Sequence, residues 1–278
     1  MMAEFAAQPA LLLGLGLVFA ITGCFAGTLA GLFGVGGGII LVPVTSGIMH
    51  LIGVDTDYAM RVAVATSLAT ILPTSIASLR AHHKRQGIDW VLLRTWSPMI
   101  IIGAIAGSFL ARYVSGSILS ICFGCMLLFM AWRMSKPQQD GTPQGHTVGA
   151  FGQRVMAGAI GCSAAMLGIG GGVIGVPALC YIGLPIRRAF GTASTFGVMV
   201  AVPGVANYLL AAAPSGIPLG GTWGLVHPLA LLLLIPGALI FAPIGAQLTH
   251  KLPVDRLRRA FALLMAILSL KMLYAGLF

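Results

Sequence analysis

Residues 227–248 read HPLALLLLIPGALIFAPIGAQL, a stretch without one Asp, Glu, Lys or Arg. As a helix it would reach about 33 Å, enough to cross the roughly 30 Å hydrocarbon core of a bilayer. The same holds for PALLLGLGLVFAITGCFAGTLAGLF (9–33), and WSPMIIIGAIAGSFLA (96–111) comes close. A segment of this kind has its free-energy minimum in lipid, where every backbone polar group must be satisfied within the chain. Recurrent runs of this length therefore restrict the fold to an all-α, polytopic membrane protein.

Charge agrees with that restriction. Only 8% of the 278 residues are charged and 58% are hydrophobic, against about 25% charged in a soluble domain. The net charge of +10 does not point to nucleic acid. The cations sit in short clusters at the ends of apolar runs, RAHHKRQ (80–86), RR (187–188) and HKLPVDRLRR (250–259), as headgroup and topology signals do. Residues 1–20 contain no Lys or Arg, so the first apolar run reads as a retained span rather than a secretory signal. The cysteines, Cys24, Cys122, Cys125, Cys162 and Cys180, all lie in apolar sequence and read as packing residues rather than a disulfide framework. No HExxH, GxSxG or embedded carboxylate pair is present, so an enzyme is not expected, and neither a cofactor nor a metal is called for.

An internal duplication organises the chain. LFGVGGGIILVP (32–43) and MLGIGGGVIGVP (166–177) repeat one pattern, and each is followed by an Arg and a helix rich in small hydroxyl residues, RVAVATSLAT (61–70) and RRAFGTASTFG (187–197). Setting Arg61 on Arg187 sets Thr66 on Thr192. The polar stretch KPQQDGTPQGHTVG falls between the copies. The expected layout is a first transmembrane repeat over 1–135, a polar linker over 136–153 and a second repeat over 154–278. Each repeat holds four apolar blocks, about eight transmembrane helices in two pseudosymmetric halves. The opening block of each half is too long for one straight span, so the first helix of each is expected to break at its glycines. In a simple eight-crossing layout the basic loops 51–61, 112–116, 183–188 and 249–256 share one side, with HHKRQ and the linker on the other. Cations then nearly balance, which leaves the positive-inside rule undecided, with a lean towards both termini outside.

Glycine clusters in membrane helices often serve close packing, and Gly103 with Gly107 fits that use. Three successive glycines strip every face of a turn and favour unwinding. A broken helix exposes N–H groups and the positive end of a dipole, and matched breaks in two repeats mark a transporter's midplane site. Gly36, Gly37, Gly38 and Ile39 with Gly170, Gly171, Gly172 and Val173 are accordingly the candidate substrate-binding backbone. Gly34, Pro43, Gly168 and Pro177 are the candidate hinge and kink positions. Thr66 and Ser67, with Thr192 and Ser194, are the candidate side-chain donors; the hydroxyl stripes read equally well as interhelical bonding. Arg61 and Arg187 could guide an anion, although Arg at a span boundary more often snorkels, as Lys271 and His227 are also expected to do. Glu4, Asp55, Asp57, Asp89, Asp140 and Asp255 all lie at a terminus, in loops or at span ends. A site of dipoles and hydroxyls without a carboxylate relay suits an anion.

The paired GxGGGxxxxP motifs, FGVGGGIILVP (33–43) with AVATSLA (63–69) and LGIGGGVIGVP (167–177) with GTASTFG (191–197), resemble the TauE/SafE sulfite exporter family, also called the 4-toluene sulfonate uptake permease group. The resemblance covers roughly 10–276. It implies a bacterial inner-membrane permease for a small sulfur-containing anion, sulfite or an organosulfonate, exported from the cytoplasm. On that basis the glycines, prolines, Thr66 and Ser67 carry over directly. The second copy departs, reading TAS where the first reads ATS, so Thr192 and Ser194 stand in for the pair. The alternatives are an importer of sulfonate, sulfate or thiosulfate, or a membrane sensor or assembly protein that carries nothing. The expected partners are the anion and the bilayer, not nucleic acid, with room for a homo-oligomer.

Overall fold

The computed structural model describes residues 9–34, 36–84, 86–135, 148–212, 221–248 and 254–277. Among them the chain is all helical, with a single isolated β-bridge between Trp223 and Val226. The first half contains α1 (Pro9–Phe33), α2 (Gly38–Leu51), α3 (Thr56–His83), α4 (Trp90–Ala111) and α5 (Gly116–Ser135). The second contains α6 (Ala150–Leu167), α7 (Gly172–Tyr181), α8 (Ile186–Leu209), α9 (Pro228–Leu248) and α10 (Val254–Leu277). Each half has one short helix, in second place, followed by three longer ones. Six helices, α1, α3, α4, α5, α8 and α9, are long and apolar enough to cross a membrane. The expected all-α, polytopic architecture with glycine-broken opening helices is what the chain adopts.

The helices α2 and α7 are short because the chain has already turned. Gly34, Gly36 and Gly37 carry φ of 65°, 77° and 74°, and Gly168 and Gly171 carry 71° and 72°. A side chain disfavours this left-handed region by about 1–2 kcal/mol per residue. A Cβ on Gly37 would stand 2.6 Å from the Ala26 carbonyl oxygen, which lies about two turns before the end of α1. The first break therefore folds the chain back along the helix it has just left. The helix α6 starts at Ala150, inside the stretch expected as linker. Gly149 stands at its N-cap and the Gln153 amide donates to the Val148 carbonyl at 3.1 Å.

Helix direction follows from the order of glycine contacts. Gly23, Gly27 and Gly31 of α1 meet Leu234, Ala238 and Ala242 of α9 in the same sequence, so these two helices run parallel. In return, Gly237 and Gly245 of α9 meet Cys24 and Thr28. The pair α4 and α6 repeats the arrangement, with Gly103 against Gly158 and Gly107 against Cys162. Each half thus packs its opening helix on the fourth helix of the other, at the close approach that small residues permit. The central pair is antiparallel: Leu68 of α3 meets Gly204 of α8, and Ser75 meets Gly197. The outer pair is antiparallel too, with Gly124 of α5 against Leu273 of α10 and Ile121 against Gly276. Trp96 of α4 stacks on Phe196 of α8 at 6.1 Å, and its indole N–H donates to Gln153 at 3.2 Å. That bond satisfies the one polar atom of a large buried ring.

Candidate functional site

The two glycine breaks meet. A Cβ on Gly36 would lie 2.9 Å from the Gly170 Cα, and one on Gly38 would strike the Gly168 carbonyl and stand 3.0 Å from the Ile169 Cα. Segments 134 positions apart in sequence thus share one contact, closed on one side by Ile71 of α3, which reaches both Gly36 and Gly38. On α8, Gly197 stands beside the Gly170 carbonyl. The register that sets Thr66 on Thr192 also sets Ile71 on Gly197, so the sequence carried a signal for this flanking pair. All the described residues of both breaks are buried.

Beyond each break a helix starts without a cap. Gly37 precedes α2 and Gly171 precedes α7, and neither start has a side-chain capping bond. The first bonds back to these caps come from Ile40 and Leu41, at 3.1 and 3.3 Å to the Gly37 carbonyl, and from Gly175, at 2.8 Å to the Gly171 carbonyl. Among the described residues, the N–H groups of Gly38, Ile39, Gly172 and Val173 have no acceptor. Buried donors left unpaired cost about 1–3 kcal/mol each. Two such pairs stand at adjoining, positively polarised helix ends, where negative charge is electrostatically favoured. Pro43 and Pro177 lie inside α2 and α7. Each lacks the N–H that would bond the carbonyl four residues earlier, on Ile39 and Val173.

The hydroxyl residues divide into two groups. Ser67 donates to the Gly168 carbonyl at 2.8 Å, tying α3 to the opposite break. Thr70, Thr74, Ser194 and Thr195 donate to carbonyls of their own helices. Thr66 and Thr192 instead accept, and they do so as a matched pair. The Thr66 hydroxyl takes the N–H of His227 at the start of α9, and the Thr192 hydroxyl takes that of Asp89 at the start of α4, each at 3.0 Å. Thr66→Val should leave a buried N–H unpaired and lower stability by about 1–3 kcal/mol, with Thr66→Ser restoring most of it in a thermal unfolding assay. Ser67→Ala should cost about 1 kcal/mol in the same assay and slow transport, because it loosens the wall of the second break.

The arginine guides are placed less directly. The Arg61 guanidinium donates to the Val114 carbonyl from Nε at 3.2 Å and Nη2 at 3.0 Å and sits over the Tyr58 ring, so it anchors the α4–α5 corner. The side chain of Arg187 lies outside the described residues. His227 does not snorkel: it is fully buried, and its Nδ1 accepts the Ala230 N–H at 3.2 Å as a cap for α9. The Lys271 ammonium donates to the Pro43 carbonyl at 3.3 Å, reaching α2 over Gly47. A further polar chain runs from Arg112 to Asn207 at 3.0 Å and from Asn207 to Ser108 at 3.1 Å. Its members come from α8, α4 and the residue after α4, and no local sequence pattern joins them.

Known proteins resemble this chain along most of its length. Residues 19–272 match the family described as sulfite exporter TauE/SafE. A "Probable membrane transporter protein" of Haemophilus influenzae is 30% identical over 264 residues, covering 92% of this chain and 97% of the relative. Proteins with that same descriptor from Methanocaldococcus jannaschii and Bacillus subtilis are 26% and 24% identical, covering 91% and 94% of this chain and 93% and 98% of their own lengths. No solved structure matches. A multi-pass helical membrane transporter is the result, and the chain belongs to the sulfite exporter TauE/SafE family.

Proposed function

We propose that this transporter carries a small sulfur oxyanion, sulfite or an organosulfonate, out of the cytoplasm across a bacterial inner membrane. The observation that carries the reading is the pair of uncapped helix starts after Gly37 and Gly171, whose N–H groups have no acceptor among the described residues at the contact between the two breaks. Four backbone donors on two converging dipoles suit a ligand with several exposed oxygens and a delocalised negative charge. The Thr66 and Thr192 oxygens accept from His227 and Asp89 respectively. With Leu68 on Gly204 and Ser75 on Gly197, these hydroxyls fall on opposite sides of the breaks and do not join the four backbone donors on one small anion. The family description supplies the sulfur chemistry.

Chemistry of this kind needs neither a cofactor nor an enzyme's proton relay. Asp55 and Asp89 cap helices, and Asp57 accepts the Gly116 N–H at 2.6 Å, so these carboxylates hold structure at helix ends. An inside-negative potential drives an anion outward by about 2.3 kcal/mol per charge per 100 mV, and export then requires no coupling ion. Because both breaks are buried, access requires the halves to rock against each other about the α3–α8 pair. The test is sulfite efflux from proteoliposomes under an imposed potassium diffusion potential. An inside-negative potential should accelerate saturable efflux; indifference to the potential, or uptake against it, contradicts the reading.

A further inference from the structure

The packing sorts the helix ends into two groups, and charge then orients them. At one end of the bundle, Arg61 near the start of α3 bonds Val114 in the α4–α5 corner, and Asp57 bonds Gly116. The same end holds Asn207 near the end of α8, through Arg112, and Leu225 before α9, through the Tyr208 carbonyl. Because α1 runs parallel to α9, α1 also starts at this end. Because α10 runs antiparallel to α5, α10 finishes here. The opposite end holds the close of α3 and the start of α4 beside the start of α8, where Gly87 packs on Gly191 and Arg188 faces Asp89 at 3.8 Å. By the same parallel and antiparallel pairings it also holds the end of α5, the starts of α6 and α10 and the end of α9.

Each glycine break is thus a re-entrant turn. The helix α2 leads back to the end where α1 began, and α7 leads back to the end where α6 began. This overturns the expected loop partition, in which 51–61, 112–116, 183–188 and 249–256 shared one side. Counting each broken helix as a full crossing reverses the side of every loop between the two breaks.

With the loops re-sorted, the cations no longer balance. Among the described residues, the end that holds the start of α3 carries Arg61, Arg112 and Lys271. The other carries Arg80 and Lys84 at the close of α3, Arg94 on the first turns of α4 and Arg133 on the last turn of α5. It also carries Arg154, Arg188 and Arg259 on the first turns of α6, α8 and α10. Lys and Arg within about 15–20 residues of a span end set orientation, and acidic residues count for little. Cations beside an anionic leaflet are drawn to its headgroups.

We propose that this basic end faces the cytoplasm and lies against the anionic headgroups of that leaflet. The start of α1, the end of α10 and the α4–α5 corner then lie outside. The inference rests on helix direction and charge and does not depend on the substrate.

Single cysteines at Ser115 and Gln86, introduced into the full-length chain with its native cysteines replaced, test it with a membrane-impermeant maleimide in spheroplasts. Ser115→Cys should label fully in intact spheroplasts, and Gln86→Cys should label only after permeabilisation, with at least a tenfold difference between them. Labelling of Gln86→Cys in intact spheroplasts, alone or together with Ser115→Cys, overturns the orientation. If neither position reacts even after permeabilisation, reporter fusions at the C-terminus decide. Active alkaline phosphatase with dark GFP supports the proposal, and fluorescent GFP with inactive phosphatase refutes it.

Discussion

Gly38→Ala should reduce anion flux in proteoliposomes at least tenfold, the equivalent of about 1.4 kcal/mol, while the protein stays folded. The added methyl would strike the Gly168 carbonyl and stand 3.0 Å from the Ile169 Cα and 3.1 Å from the Ile71 side chain. Backbone cannot yield as a flexible side chain does, so the two breaks must separate. Overpacking of this kind costs about 1–3 kcal/mol, and here the cost falls on the contact that sets the two helix starts against each other. Gly14→Ala is the matched control, because nothing lies within 4 Å of a Cβ there. Equal flux in the two variants would show that the contact between the breaks is not needed for transport.

Gly27→Leu should have a larger effect of a different kind, loss of the folded protein itself. Gly27 lies in the α1–α9 seam, where even a methyl would sit 2.7 Å from the Ala238 Cα. Gly23 and Gly31 flank it at one-turn spacing against the same partner helix. A leucine would wedge parallel helices apart along that whole seam, and lipid offers no hydrophobic return for the separated faces. A destabilisation of about 3 kcal/mol or more is expected, visible as lost monodispersity and a much lower unfolding temperature. Gly14→Leu, on the same helix but outside the seam, should stay near wild type.

These two glycine roles show what could be read from the sequence. GVGGG and GIGGG announced their breaks because consecutive glycines have a local, conformational consequence, and α1 does stop at Phe33 with α2 resuming at Gly38. Gly103 and Gly107 were legible as packing residues from their spacing. The return of the chain after each break was not legible, because apolar composition carries no direction. It emerges only from long-range contacts such as Gly37 against Ala26 and Leu68 against Gly204. That return is why the loop charges could not be apportioned from sequence. The hydroxyl stripe was ambiguous for a related reason. Thr66 and Ser67 are neighbours on one helix, yet one accepts from α9 and the other donates to the opposite break. A position on a helix face does not say which proton is already committed. The register of Thr66 on Thr192 was legible, and their matched bonds to the starts of α9 and α4 give it a physical meaning.

The central claim is that the paired uncapped starts of α2 and α7 bind a small sulfur oxyanion. Thermal unfolding of the purified protein in sulfite, measured beside Gly38→Ala, tests it most directly. Ligand at about 100 times its Kd adds about 2.7 kcal/mol to the folded state. The account predicts a saturable rise in unfolding temperature for the wild type that chloride does not reproduce and that Gly38→Ala abolishes. No rise with sulfite or any small sulfonate, or an equal rise in the variant, would contradict it.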